Sequence, residues 1–338
     1  DRRSILSGAA DARVSKPEAF TTMLRPCTSL FAVSLWLLLG LVGCGEQRGA
    51  EAERASSGAI VAVNLPLETF ATRLAEGLVA VENPVPRGED PQDWMPDAAA
   101  IARVQQAPLI LLQGAGAGPW GDSISLPASR TIDTTANARS RFPEGLAGLR
   151  HAHGGGAEHV HGATAAQAWL DLGIARLQAR AVRDAIVRLE PEAEAEIDAR
   201  WRSLDAELAA LHEQFRETLR DAPPLLASHP VYPFLANAYG LSIESVHWEP
   251  EDEPDDAAFA ELASLQSKQG ATLMLWEDEP TPATRAKLEA MGLRVVVFEP
   301  AGTSDGERDF IESMHENLVR LRDALAASQS APPETPTG

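Results

Sequence analysis

Histidines are concentrated in one short, glycine-rich stretch of this chain. Four of the eight histidines fall within eleven residues, at His151, His153, His159 and His161. Neutral imidazole is a preferred ligand of zinc and of other first-row transition metals. The tract therefore indicates metal binding. The alternative is a flexible loop whose histidines are incidental.

Three other features could carry chemistry, but each lacks part of the pattern that its chemistry needs. The Gly-Asp-Ser at 121–123 has no Asp-x-x-His partner and no Gly-x-Ser-x-Gly elbow, and a nucleophilic serine needs a base within reach. The acidic run at 249–256 lacks the Asp/Asn-Gly alternation of a calcium loop, and we predict a solvated loop. The glycines at 114–118 lack Gly-Lys-Ser/Thr. We predict that the protein is not an enzyme.

The first half of the chain is predicted to alternate between strands and helices. The periodicity predicts strands at 59–63, 79–85 and 108–112 and helices at 67–78 and 97–106. This order, with short connections, is typical of a parallel sheet covered by helices. Residues 116–166 are rich in Gly, Ser, Ala and His, and we predict that they are mostly loop.

The second half begins with helices and then repeats the α/β pattern. Residues 170–189 and 191–219 predict two helices, and about 29 residues at about 1.5 Å each would let the second bridge two halves of the protein. Strands are then predicted at 225–227, 243–246, 272–276 and 294–298, and helices at 232–239, 257–269, 281–291 and 309–326. We predict an α/β fold of two lobes with mainly parallel sheets, joined by a long bridging helix.

The N-terminal region is typical of an exported lipoprotein. Arg25 precedes an apolar run at 30–42, too short for a comfortable membrane span, and Leu-Val-Gly-Cys at 41–44 resembles the bacterial lipobox. Cys44 is thus the predicted lipid attachment site. We predict this organisation: 1–22 upstream of the true start, 23–43 signal peptide, 44–58 flexible tether, 59–168 N-terminal α/β lobe with a histidine-rich loop at 150–163, 169–221 helical segment, 222–326 C-terminal α/β lobe, 327–338 disordered tail.

Composition narrows the range of partners. The chain has 49 acidic and 29 basic residues, a formal net charge of −20, which disfavours nucleic acid as a partner. An acidic surface attracts cations, although it is commonly only solubilising. The two cysteines, Cys27 and Cys44, fall in the predicted signal and at its end, so we expect neither an internal disulfide nor a thiolate metal site.

Several motifs carry a family resemblance over residues 59–326. They are PRGEDPQDWMP at 86–96, QGAGAGPW at 113–120, QAWLD at 167–171, SH at 228–229 and FEP at 298–300. Their order and surroundings resemble the periplasmic metal-binding proteins of zinc and manganese ABC importers, in which a histidine-rich loop is typical of the zinc members. The resemblance implies a ligand cleft between the lobes, where strands of open α/β sheets end.

The resemblance also implies a ligand set, with a departure from the family pattern. Three family histidines and a carboxylate correspond here to Gln92, Gln167, His229 and Glu299. An amide oxygen is a weaker zinc donor than imidazole, so this set implies weaker zinc binding. Three explanations stay open: retuning to another cation such as Mn²⁺, imidazoles supplied by the histidine loop, or loss of metal binding. His229 could instead bond backbone, and Glu299 could cap a strand end.

The sequence thus predicts a lipid-anchored, extracytoplasmic solute-binding protein that captures Zn²⁺, or Mn²⁺ or another divalent cation. The resemblance implies delivery to an ABC permease and its ATPase, and we expect a monomer. The alternative is a non-transport relative that buffers metal weakly, acts as a metal-handling accessory lipoprotein or binds another ligand.

Overall fold

The computed structural model describes residues 58–114, 120, 124–144 and 167–330. The predicted signal, Cys44, the tether up to residue 57 and the histidine tract lie outside these described residues. None of the described helices is both long enough and apolar enough to span a lipid bilayer.

The N-terminal lobe contains a four-stranded parallel sheet in the order β2-β1-β3-β4. Its elements are β1 (Ile60–Ala62), α1 (Leu65–Ala75), β2 (Val81–Glu82), α2 (Ala98–Gln106), β3 (Ile110–Leu112) and β4 (Thr131–Asp133). Strand β4 lies inside the segment that we predicted to be mostly loop. A three-residue edge strand is too short to show a period in the sequence, and its pairing with β3 defines it.

Two antiparallel helices follow, α3 (Leu172–Leu189) and α4 (Glu194–Leu219). The Asp171 carboxylate caps α3 by accepting hydrogen bonds from the backbone N–H groups of Gly173 and Ile174. Residues Pro191–Ala193 form a 3₁₀ turn, so α4 begins later than predicted. With 26 residues, α4 is about 39 Å long and is the predicted long helix between the lobes.

The C-terminal lobe repeats the first architecture, with a parallel sheet in the order β6-β5-β7-β8. Its elements are β5 (Leu225–Ala227), α5 (Pro233–Tyr239), β6 (Ile243–Ser245), α6 (Asp256–Gln269), β7 (Leu273–Trp276), α7 (Pro282–Ala290), β8 (Arg294–Val297) and α8 (Phe310–Ser330). Helix α8 continues past residue 326, so residues 327–330, predicted to be disordered, are helical.

The strand order places a crevice at the same edge of both sheets. In each sheet the first strand lies between the second and the third strands of that lobe. The chain therefore crosses the sheet in one direction from the first strand to the second, and in the opposite direction from the second strand to the third. Ligands of open α/β sheets bind at such reversals, beyond the carboxyl ends of the strands. The side chains that follow β1, β3, β5 and β7 are therefore the first candidates for a binding site.

One hydrophobic core extends through both lobes, beside a smaller one within the C-terminal lobe. It contains residues of both sheets, such as Val61 of β1 and Leu273 of β7. Phe310 of α8 packs edge-on against Phe70 of α1, with ring centroids 5.7 Å apart, and its backbone N–H donates to Thr69 Oγ1 at 3.0 Å. Helix α8 therefore joins the C-terminal lobe directly to the N-terminal one.

A loop after β8 adds further links between the lobes. The Trp169 indole N–H donates to the Pro300 carbonyl at 2.6 Å, the Leu65 N–H to Gly302 O at 2.9 Å, and the Gly88 N–H to Ser304 O at 3.1 Å. A Cβ on Gly302 would lie 2.9 Å from Trp169 Cζ2, so a glycine is needed where the backbone passes this close to the indole ring. These links hold the floor of the crevice together.

Because Phe310 is fully buried between the lobes, we expect Phe310→Ala to destabilise the protein by about 3–5 kcal/mol. Urea unfolding followed by tryptophan fluorescence measures this change. Val319→Ala, at a position on the same helix with 44% exposure, is the matched control and should change stability by less than about 0.5 kcal/mol. Equal effects of the two substitutions would contradict the shared core.

Candidate metal centre

A cavity of about 410 Å³ lies between the lobes at the carboxyl ends of the strands. Its N-terminal wall is largely amide. Two of these amides already have partners, since Asn64 Nδ2 donates to Gln113 Oε1 at 2.8 Å and Asn64 Oδ1 caps α1 by accepting from the Leu67 N–H. The amide side chains of this wall are Asn64, Gln92, Gln113 and Gln167.

The cavity lining as a whole is acidic. Carboxylates outnumber basic side chains in it, and such a concave, mainly negative surface raises the local concentration of cations. The described lining contains the carboxylates of Asp90, Glu277, Asp278, Glu299 and Asp305 and the guanidinium of Arg308.

His229 lies beside this cavity with two carboxylates near one nitrogen of its ring. His229 Nδ1 is 3.1 Å from Glu249 Oε1 and 3.5 Å from Glu277 Oε1. One ligand atom from each of the three residues falls within 4.8 Å of the others. His229 is 8% exposed, and Glu277 also lines the cavity, so the cluster and the cavity are continuous.

The arrangement of the strands explains why these three residues lie close together. Strands β5 and β7 are neighbours, with Ala227 paired to Leu275, so His229 and Glu277 leave the sheet at the same edge. Glu249 arrives from the segment after β6, which stays beside β5 because the Trp248 N–H donates to Ser228 O at 2.7 Å.

The electrostatics of the cluster favour a cation. Burial raises the pKa of the Glu277 carboxyl to about 7; the positive charge of His229 opposes this, while the Glu249 and Asp90 carboxylates add to it. Burial lowers the pKa of His229, but the hydrogen bond to Glu249 and the charges of Glu277 and Glu249 outweigh it, so the pKa of His229 is raised. A bound cation would offset the repulsion between these carboxylates.

The spacing of the cluster suits a metal ion. In a tetrahedral site with bonds of about 2.0–2.1 Å, ligand atoms lie about 3.3 Å apart, and the two distances from His229 Nδ1 bracket this value. One imidazole and two carboxylates are ligands that zinc accepts. The ligand types and distances therefore fit a divalent cation.

The sequence-derived candidates have different surroundings. Gln92 and Gln167 both line the cavity. The Gln92 N–H donates to Asp90 Oδ1 at 2.7 Å, which shapes the turn that carries it. Gln167 has φ 55°, a left-handed conformation uncommon outside glycine, and strain of this kind clusters at functional sites.

Glu299 lines the same cavity, but both of its carboxylate oxygens have basic partners. Arg308 Nη2 donates to Oε2 and Arg320 Nη1 donates to Oε1, each at 2.9 Å. The Asn317 side chain also holds the Glu299 backbone, accepting from its N–H at 3.0 Å and donating to its carbonyl at 2.7 Å. Glu299 is thus placed near the site with its charge already neutralised.

Sequence reasoning missed Glu249 and Glu277. Glu249 belongs to the acidic run that we predicted to be a solvated loop, yet part of that run folds back over His229. A signal for Glu277 was available, since it directly follows a central strand of the second sheet, where ligand-binding residues are expected. The four histidines at 151–161 lie outside the described residues.

Comparison with known proteins agrees with this architecture. The chain is 23% identical over 323 residues to the "High-affinity zinc uptake system protein ZnuA" of Bacillus subtilis, covering 90% of this chain and 99% of that one. The crystal structure of the metal-dependent lipoprotein YcdH of Bacillus subtilis superposes with a TM-score of 0.68 at 20% identity, over 79% of this chain and 99% of that chain. The Zn(II)-bound ZnuA-like domain of Streptococcus pneumoniae AdcA gives 0.66 at 20% identity, over 80% and 99%.

Two parallel α/β lobes with a long helix between them and a cleft at their strand ends are the fold that this chain shares with these two solved structures. The family model "Zinc-uptake complex component A periplasmic" (ZnuA) matches residues 60–324, and the chain belongs to this family.

Proposed function

We propose that this protein captures a divalent cation in the cleft between its lobes and delivers it to an ABC importer. The observation that carries the proposal is the acidic cavity at the strand ends, whose described wall holds five carboxylates and Arg308. Capture needs only binding and release, and no covalent step.

Zinc is the first candidate for the cation. Its support is the imidazole and carboxylates around His229, which match the ligand preferences of zinc, and the relatives that are named for zinc uptake or zinc binding. Mn²⁺ is the second candidate, because carboxylate and amide oxygens suit a harder ion.

We further propose that Gln92 and Gln167 stand where relatives carry ligand histidines. Both line the cavity, as that role requires. Because an amide oxygen binds zinc more weakly than imidazole, these positions weaken the affinity of the cleft. Histidines of the tract at 151–161 would then serve as additional imidazoles.

The cellular setting is proposed from the same family membership. Lipidation at Cys44 would anchor the protein to a bacterial membrane on its extracytoplasmic side, where it would act as a monomer beside a permease and its ATPase. The alternative, a non-transport metal buffer or accessory lipoprotein, is favoured by one observation, the engagement of Glu299 by Arg308 and Arg320. Neighbouring genes for a permease and an ATPase would support transport.

Zinc titration of the soluble chain from Ala59 tests the proposal. We expect sub-micromolar binding by calorimetry, and we expect deletion of residues 151–161 to weaken it by at least about tenfold if the tract supplies ligands. Replacing the same segment with a glycine-serine linker of equal length is the control for loop length. Absence of zinc binding in both forms would refute zinc capture.

A further inference from the structure

We infer that the cation is held by His229, Glu249 and Glu277, three ligands that all belong to the C-terminal lobe. This inference rests on the proposed function and specifies its site. It assigns to Glu249 the role that the family resemblance implied for Glu299.

The first step is the geometry around His229. Two carboxylate oxygens from different segments lie 3.1 and 3.5 Å from the same ring nitrogen, and one of these segments follows β7 while the other follows β6. The ring nitrogen and the two carboxylate oxygens therefore converge on one point, with one ligand atom of each residue within 4.8 Å of the others.

The second step is the anchoring of Glu249. Its backbone N–H donates to Asp252 Oδ2 at 2.8 Å, and the preceding Val246 and Trp248 donate backbone hydrogen bonds to Ala227 O and Ser228 O. Residues 246–249 therefore continue alongside β5 and bring the carboxylate to His229. Backbone contacts thus fix the position of the Glu249 side chain, which differs in this from an exposed residue of a solvated acidic loop.

The third step is the engagement of Glu299. To bind a metal, its carboxylate would have to leave two guanidinium groups, Arg308 and Arg320, which also share Glu316. Charge-assisted hydrogen bonds of this kind are stronger than neutral ones. Glu299 is better explained as an anchor for these arginines than as a metal ligand.

The consequence is a centre with one nitrogen and two oxygen ligands, with further positions open to water or to the amides of Gln92 and Gln167. Because all three ligands belong to one lobe, the centre forms without movement of one lobe against the other. A ligand set of this composition favours a divalent metal that accepts both imidazole and carboxylate.

Zinc titration of the full chain and four single variants tests the assignment, with zinc chloride as the only added ligand. We expect Glu249→Gln to weaken zinc binding at least about tenfold, equivalent to about 1.4 kcal/mol. Glu299→Gln should change it less than about threefold. Glu251→Gln, at an exposed position of the same acidic run, removes the same charge and should have no effect.

The outcomes distinguish a failure of the ligand assignment from a failure of the proposed function. If the unmodified chain does not bind zinc, the proposed function fails. If it binds zinc and Glu249→Gln behaves like Glu251→Gln, or Glu299→Gln weakens binding as much as Glu249→Gln does, the ligand assignment fails while the function stands. Thermal unfolding without zinc shows whether each variant is folded. Glu277→Gln is a second ligand variant, and we expect it to lower zinc affinity at least about tenfold.

Discussion

Replacement of His229 by alanine is expected to reduce zinc affinity by at least about 100-fold, close to 3 kcal/mol. His229 supplies the imidazole of the described cluster, and its removal leaves only carboxylate and amide oxygens near the ion. Zinc prefers nitrogen donors to amide oxygens, so the remaining groups compensate poorly. Competition with a chromophoric chelator measures the loss.

His315→Ala is the matched control for this prediction. His315 is exposed on α8 and distant in sequence from every strand end, so its loss should leave zinc affinity unchanged. Equal affinities for the unmodified chain and His229→Ala would show that the metal is bound elsewhere. The histidine tract at 151–161 would then be the first place to look.

Restoring imidazole at both glutamine positions is expected to have the second largest effect. Gln92→His combined with Gln167→His should tighten zinc binding by about 100-fold, because each change exchanges an amide donor for imidazole at the wall of the same cavity. The left-handed backbone at Gln167 does not oppose the change, since histidine is enriched in that region among non-glycine residues. Calorimetry on the double variant measures the gain.

The control for this gain is Gln106→His, which adds an imidazole at an exposed position of α2. It should not tighten zinc binding in the sub-micromolar range. If the double variant gains no more than this control, Gln92 and Gln167 do not face the ion, and the proposal that they replace ligand histidines is wrong.

The fold was largely predictable because its signals are local. Hydrophobic runs, helix-breaking residues and capping residues in the sequence mark strand β5 and the helices before and after the long helix α4. The exceptions are short or terminal. Strand β4 has three residues and depends on pairing with β3, and residues 327–330 remain helical although their composition favours disorder.

The candidate site was predictable in part. The Ser-His motif after a strand predicted His229, which lies in the candidate cluster, and Gln92 and Gln167 line the interlobe cavity. Glu249 and Glu277 were missed because their role depends on contacts between segments far apart in sequence. The charge pairing of Glu299 with Arg308 and Arg320 is likewise a tertiary property that spacing alone does not reveal.

The hydrogen bonds from residues 300–304 to the N-terminal lobe bear on how a permease distinguishes the loaded protein from the empty one. None of these bonds uses His229, Glu249 or Glu277, so binding and release of metal at these three residues need not break them. The two lobes would then keep the same relative position with and without the ion. What changes is the charge at the mouth of the cleft, because the ion neutralises carboxylates, and docking would therefore depend on ionic strength more than on lobe movement.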